Sequence, residues 1–419
     1  MLSLVLAFVL PTTWIVDANS GPGTNFTDLP PAIAAAQSGD TILVRPGTYT
    51  AFSVSGKALT IRGAGAATTV VRLVSPSLPQ SPTVTIANTP SGERFYLSGL
   101  TILSNASWIQ PAMSATLATV VLADCVVSGD NGTINGSSGM RADTCEVHAH
   151  RCVFRGGPGM SSPFSGGGTG AAFSAGSDLA ADACSFVGGF GHPHTEGWCY
   201  GGPGLTLNTS RATIARTNCL GGGAGASFGT AGPAATAYYG STLRIAGTSS
   251  NSCISGTGGL SPSPALWAYS YLPVSSMIVH GPVTLSTPAT SGNVTLGAPP
   301  LPYLAVTGTL LPSMEMNAAQ PVTVDLDGIF PNALYFLKVA YAPDYATTAP
   351  WGLGEILVFL PTSDCQIGLL GPTGHLTFTF IPAGVPALLN RPIYSQAATF
   401  DAATGQLRLS QSDIRIFAL

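Results

Sequence analysis

Apolar and polar positions alternate along this chain in short runs, and the runs repeat. Within Val147-His148-Ala149-His150-Arg151-Cys152-Val153-Phe154 the apolar side chains Val147, Ala149, Cys152 and Phe154 fall two, three and two residues apart. Leu179, Ala181, Cys184 and Phe186 keep the same spacing, as do Val120, Leu122, Cys125 and Val127. Two period-2 strands joined by a one-residue corner would send all four side chains of a copy to one side. The three cysteines stand 27 and then 32 residues apart, which suits one coil of a solenoid with a loop of variable length. A fourth copy, Ile214 to Gly222, aligns with Asn218 in the cysteine position and one residue of slippage. Fainter copies lie at Leu97–Ile102 and Leu243–Ile245. Stacking would bury each inward position on its equivalent in the next coil. The Leu-x-x-Leu-x-Leu spacing and Asn ladder of leucine-rich repeats are missing.

Upstream, Trp14–Asp17 reads as a strand. Asp28 is placed to cap a helix with Pro30 and Pro31 in its first turn, Ala32 to Gln37 continuing it and Ser38-Gly39 ending it. Strands follow at Thr41–Val44, Phe52–Val54 and Leu59–Ile61, with a Pro46-Gly47 turn between the first two. The stretch Ala32 to Tyr49, with its Gly39-Asp40-Thr41-Ile42, Val44 and Pro46-Gly47-Thr48-Tyr49, resembles the opening of right-handed β-helix proteins of the pectate-lyase-like superfamily. The resemblance implies a helix capping the open end of the coil. It implies little about activity, because that superfamily holds lyases, hydrolases, adhesins and phage tailspikes.

Gly-rich inserts separate the copies: Gly156-Gly157-Pro158-Gly159, Gly166-Gly167-Gly168 and Gly221-Gly222-Gly223. They are expected to run as loops along one side of the helix. None follows a strand, opens a helix and ends in Lys-Ser or Lys-Thr, so they are not phosphate cradles. From Gly256 to Pro302 the chain turns rich in Pro, Ser and Thr, and a boundary is expected near residue 298. Alternating strands are predicted at Val322–Leu326, Leu334–Leu337, Ile356–Phe359, Leu376–Phe380, Ile393–Ala397 and Leu407–Leu409. The ending, with Gly405-Gln406-Leu407-Arg408-Leu409-Ser410, resembles C-terminal β modules of bacterial cell-surface proteins. The predicted architecture is therefore all-β: a right-handed parallel β-helix with a short N-terminal capping helix over 12–297, then a small antiparallel β-sandwich over 298–419.

Composition narrows the partners. Only 8% of the 419 residues are charged and the net charge is −4, so no basic stripe is available for nucleic acid. The apolar run Met1 to Leu10, stopped by Pro11, is too short to span a bilayer and suits a signal peptide over 1–11. No later run is long enough for a transmembrane helix. A secreted or cell-surface location follows as the expectation, with a polysaccharide or cell-envelope component as partner.

Candidate chemistry is sparse. Enzymes of the resembled superfamily use paired aspartates, or Ca²⁺-binding carboxylates with a basic residue. Between Tyr96 and Gly256 the carboxylates are Asp124, Asp130, Asp143, Glu146, Asp178, Asp182 and Glu196, and no two are neighbours on one strand. The Asn-Thr-Asp, Gly-His-Gly and Arg-Ile-Lys motifs of polygalacturonases and the Arg-x-Pro-x-x-Arg of pectate lyases are absent. A non-catalytic role in display, adhesion or carbohydrate association is thus expected first, and a polysaccharide lyase or glycoside hydrolase working on the outer face second. His148 and His150 point outward from one strand, with Asp182 one coil above His150 and Arg216 extending that row if the fourth copy aligns without slippage. His192, His194 and Glu196, near Cys199, offer ligands for Zn²⁺ or Ca²⁺. Eight cysteines permit disulfides. Cys125, Cys152 and Cys184 are expected as a buried thiol ladder, leaving Cys145, Cys199, Cys219, Cys253 and Cys365 freer to pair.

Overall fold

A computed structural model describes residues 11–73, most of 81–296 and separate strand segments between 303 and 416. The short strands coil into a parallel β-helix whose three sheets hold eleven, nine and nine strands. One coil runs through Thr119–Ala123, Val126–Ser128 and Met140–Asp143, and the next through Glu146–His150, Val153–Arg155 and Ala171–Ser174. Asp178–Asp182, Ser185–Val187 and Leu205–Asn208 form the coil above, followed by Arg211–Ala215, Asn218–Leu220 and Ala235–Tyr238.

The register is the one the repeats predict. Val120 pairs with Val147 and Val147 with Leu179; Leu122, Ala149 and Ala181 form the second inward column, and Val127, Phe154 and Phe186 the third. All are buried. Phe154 and Phe186 stack with ring centroids 5.1 Å apart and planes 8° from parallel, which adds about 1 kcal/mol to the gain from burial.

The corner between first and second sheets is a residue in left-handed conformation: Asp124, Arg151, Ala183 and Arg216, at φ of 52°, 49°, 54° and 49°. An inward side chain follows each. This corrects the fourth copy: Ser185 pairs with Asn218 and Phe186 with Cys219, so Thr217, not Asn218, follows Cys184 in the ladder and there is no slippage. The Thr217 hydroxyl accepts from the Cys184 N–H at 3.3 Å, and Asn251 Oδ1 accepts from the Thr217 N–H at 3.0 Å, so the polar residues continue the column by bonding its backbone.

Cys125, Cys152 and Cys184 are buried free thiols, and burial pushes the Cys152 thiol well above its ordinary pKa. Cys145, Cys199, Cys219 and Cys253 are also buried and in no disulfide. This overturns the expectation that they are freer to pair. Cys219 and Cys253 are inward, in-register neighbours on the second sheet, and parallel strands about 4.8 Å apart hold Cβ atoms too far apart for relaxed disulfide geometry. The Cys365 side chain is outside those described.

The helix Leu29–Ala35 plugs the N-terminal end and buries Leu29, Ala32 and Ile33. Asp28 Oδ1 caps it by accepting from Leu29 N–H at 2.8 Å. Lys57 Nζ donates to the carbonyls of Ile33, Ala34 and Ala36 at 3.0, 3.3 and 2.7 Å, closing the other end. Asp40 joins the plug to the first strand by accepting from Gln37 N–H, Thr12 N–H and the Trp14 indole at 2.9, 2.7 and 3.0 Å. Burial alone would raise its pKa, but these donors and the nearby Lys57 outweigh it and hold the carboxyl below its ordinary value. A depressed pKa stabilises the fold above the unfolded-state value and is lost as pH falls through the folded one. Wild-type melting temperature should therefore drop below about pH 4, while Asp40→Asn should melt lower at pH 7 with a flatter acid limb.

The last parallel strand is Val294–Leu296. The chain then forms two small antiparallel sheets, one from Tyr303–Thr307, Val322–Asp327 and His375–Phe380, the other from Leu334–Ala340, Asp364–Leu369, Pro392–Asp401, Gln406–Leu409 and Asp413–Ile416. The strand Asp364–Leu369 was not expected from the sequence, and the expected strand Ile356–Phe359 lies outside the described residues. Residues 1–10 of the signal-like segment also lie outside them.

Candidate functional site

Strand alternation places His148 and His150 on the outward side of the first sheet, yet that side is not solvent-facing. The column Tyr96, Val121, His148, Ala180, Thr213, Arg244 is buried throughout, with His148 2% and Arg244 1% exposed. The strand Asp413–Ile416 lies against Glu146–His150, Asp178–Asp182 and Arg211–Ala215. An outward position on a solenoid becomes interior when later chain folds over it, and strand periodicity carries no record of that event.

His150 and Asp182 are register partners, as the repeats predict, with His150 Nδ1 3.2 Å from Asp182 Oδ2. Arg216 does not extend their row. Ala215 occupies that place, and Arg216 follows at the left-handed corner, from which its Nε donates to Asp182 Oδ1 at 2.7 Å. One coil below, Arg151 clasps Asp124 with Nε–Oδ1 and NH2–Oδ2 distances of 2.6 and 2.7 Å and touches His150 Nε2 through NH1 at 2.6 Å. Its hydrogen bonds to Asp124 raise the Arg151 pKa, burial opposing. Of the four predicted surface residues, His150, Asp182 and Arg216 lie together, whereas His148 pairs separately with Glu146 at 2.9 Å.

Asp182 is 1% exposed, and Asp124, Asp143, Asp178 and Asp182 each accept a hydrogen bond from an arginine: Arg151, Arg141, Arg211 and Arg216. A general base must reach the proton it removes, and Asp182 is shut away from solvent.

The metal reading separates into parts. His192 is half-buried at the edge of the described chain, whereas His194 and Glu196 lie outside the described residues. Among the described residues no three His, Cys, Asp or Glu side chains gather as a metal site would require. Cys199 is buried, with its sulfur 3.9 Å from the Ser165 hydroxyl that donates to it.

A second construction was not anticipated. The Gly-rich inserts leave the second sheet, return to the third, and bond to one another as a lattice. Gly168 N–H donates to the Gly157 carbonyl, Gly189 to Gly168, Gly202 to Gly189 and Gly222 to Gly202, all at 2.8 Å, and Gly232 donates to Gly222 at 2.7 Å. Outgoing arms also bond to outgoing arms (Gly156 to Val187, Gly188 to Leu220, Gly221 to Ile254), and returning arms to returning arms (Gly136 to Gly166, Gly167 to Tyr200, Gly201 to Thr230). These glycines do not have positive φ. They are required by proximity: a Cβ at Gly167, Gly189 or Gly202 would lie 1.8, 1.9 or 2.0 Å from a backbone oxygen. The signal in the sequence is the doublet recurring in each insert, Gly156-Gly157, Gly167-Gly168, Gly188-Gly189, Gly201-Gly202 and Gly221-Gly222. Met160, Phe190 and Tyr200 are exposed on these arms, Phe190 at 63%.

No protein-family model matches the chain, and neither does any curated protein sequence. Among solved structures it is similar to pectin methylesterase PemA from Erwinia chrysanthemi, at 14% identity over 52% of this chain and 80% of that one, with a TM-score of 0.29. Pectate lyase Pel9A is 12% identical over 69% of this chain and 79% of that one, with a TM-score of 0.37. These likenesses are too distant to carry an activity across, and the parallel β-helix rests on the strand order itself. Among the described residues no helix is long and apolar enough to cross a membrane.

Proposed function

We propose that this chain is an extracellular or cell-surface β-helix protein with a non-catalytic role in display, adhesion or carbohydrate association. The carrying observation is the glycine lattice, which holds successive loops in register and exposes Met160, Phe190 and Tyr200 on a rigid frame. Binding residues concentrate on loops fixed by a scaffold, because a pre-ordered surface loses little entropy when it binds. The arginine pairing of Asp124, Asp143, Asp178 and Asp182 supports the absence of catalysis. The natural partner is a polysaccharide or another cell-envelope component. The competing reading is a lyase or hydrolase.

The discriminating experiment incubates the full chain with a panel of neutral and acidic polysaccharides. The expected result is retention on at least one polysaccharide with neither unsaturated products nor new reducing ends. Turnover that scales with protein concentration and disappears in Asp182→Asn would establish the enzyme instead.

A further inference from the structure

We propose that the outer face of the third sheet, at the last coils, binds an uncharged polysaccharide through Trp267, Tyr269, Tyr238 and Tyr239; this rests on the carbohydrate-association reading above. Trp267 and Tyr269 are alternate residues, so they project to the same side. The register pairs Thr236 with Trp267, and Tyr269 N–H bonds the Ala237 carbonyl, which sets Tyr269 above Tyr238. The Trp267 and Tyr269 rings stack with centroids 4.4 Å apart and planes 15° from parallel, and Tyr238 and Tyr269 at 4.2 Å and 18°. The three are half-buried, and Tyr239 beside them is 45% exposed.

The surroundings extend the surface. Leu272 and Val274 are 86% and 50% exposed, and Pro273 packs beside Gly240, next to Tyr239. In the coil below, Thr206 and Asn208 occupy the same outward columns, Asn208 in register with Tyr238. The face is therefore aromatic and aliphatic at one end and lined with hydroxyl and amide groups at the other. Large exposed apolar area with a polar border marks an interaction site.

Charge decides which occupant fits. Between Arg216 and Glu315 the sequence carries one charged residue, Arg244, and that side chain is buried on the first sheet. Among the described residues the cation in these outward columns is Arg141, two coils below Thr206 and already bonded to Asp143, so a uronic-acid polymer or a phosphate-bearing ligand would find none at the last coils. A neutral pyranose chain matches it: its C–H faces can pack on the Tyr239 ring and the outer face of Trp267, since both faces of Tyr269 are covered by Trp267 and Tyr238, while its hydroxyls need neutral donors and acceptors such as Asn208. Rings held by stacking lose little side-chain entropy on binding.

The test measures binding of the full-length protein to insoluble neutral β-glucan, to mannan and to polygalacturonate, with intrinsic tryptophan fluorescence recorded on adding soluble neutral oligosaccharides. The expected result is retention on a neutral polymer, with a fluorescence change. Trp267→Ala and Tyr239→Ala should each weaken retention about tenfold. Trp267→Phe, which keeps a ring, should retain most of it, and Leu117→Ala, an exposed apolar side chain on an earlier coil, should bind as wild type. Equal retention by wild type, Trp267→Ala and Tyr239→Ala would overturn this site while leaving carbohydrate association standing. So would a loss confined to Phe190→Ala on the glycine arms. Retention on polygalacturonate alone would overturn the neutral class. Retention on no polysaccharide would overturn both this site and the reading it rests on.

Discussion

Replacing Gly167 or Gly168 with alanine is expected to destabilise the protein by about 3 kcal/mol or more, while the same change at the adjoining Gly166 is expected to cost under about 1 kcal/mol. The difference is one of distance to backbone. A Cβ at Gly167 would lie 1.8 Å from the Gly189 carbonyl oxygen, and one at Gly168 would lie 2.1 Å from that of Ser137. Neither oxygen belongs to a side chain that can swing away. Each sits in a strand-like arm already bonded to its neighbours, so relief must part the arms and break several hydrogen bonds. At Gly166 the nearest atom is Asn135 Oδ1, a side-chain atom 3.4 Å away. Denaturant melts of the three variants test this. Equal losses at all three positions would mean that close approach of the backbones does not govern these glycines.

Asp182→Ala should cost about 3 kcal/mol, and Asp182→Asn somewhat less. Asp182 is nearly inaccessible, and its removal takes a carboxylate partner from Arg216, whose side chain is 12% exposed, beside His150. A desolvated guanidinium without its carboxylate loses the attraction that offset its dehydration. Asp124→Ala should lose under about 1 kcal/mol, because Asp124 and Arg151 are 47% and 39% exposed and solvent screens the pair. Thermal melts of the two alanine variants separate the cases. Comparable effects would show that the covering of the first sheet does not desolvate Asp182.

The repeats made the coil legible because an inward position is a local property. Val147, Ala149, Cys152 and Phe154 are fixed inward by alternation and by one corner, and every copy restates the rule. Their stacking beneath Leu179, Ala181, Cys184 and Phe186 needed only that the coils be parallel and in register. The fourth copy is ambiguous in the sequence at Asn218 because its corner residue Arg216 and its ladder residue Thr217 are both polar, leaving no apolar mark for the register. The pairing of His150 with Asp182 was readable for the same reason as the core, whereas Arg216 reaches Asp182 from a corner whose direction is set by its left-handed backbone.

By itself, then, the sequence determined which side chains face the axis of the helix and where the N-terminal cap forms. Those follow from periodicity, capping chemistry and residue identity, each confined to a few neighbouring residues. Only the tertiary structure decided that His148 and Asp182 are buried, that the glycine doublets interlock, and that Trp267, Tyr269 and Tyr238 form one aromatic surface. Each of these joins segments about thirty or more residues apart or lies across separate coils. Burial of an outward face depends on what later folds over it, and close approach of two backbones depends on where both loops go. Neither is encoded in the alternation of a single strand.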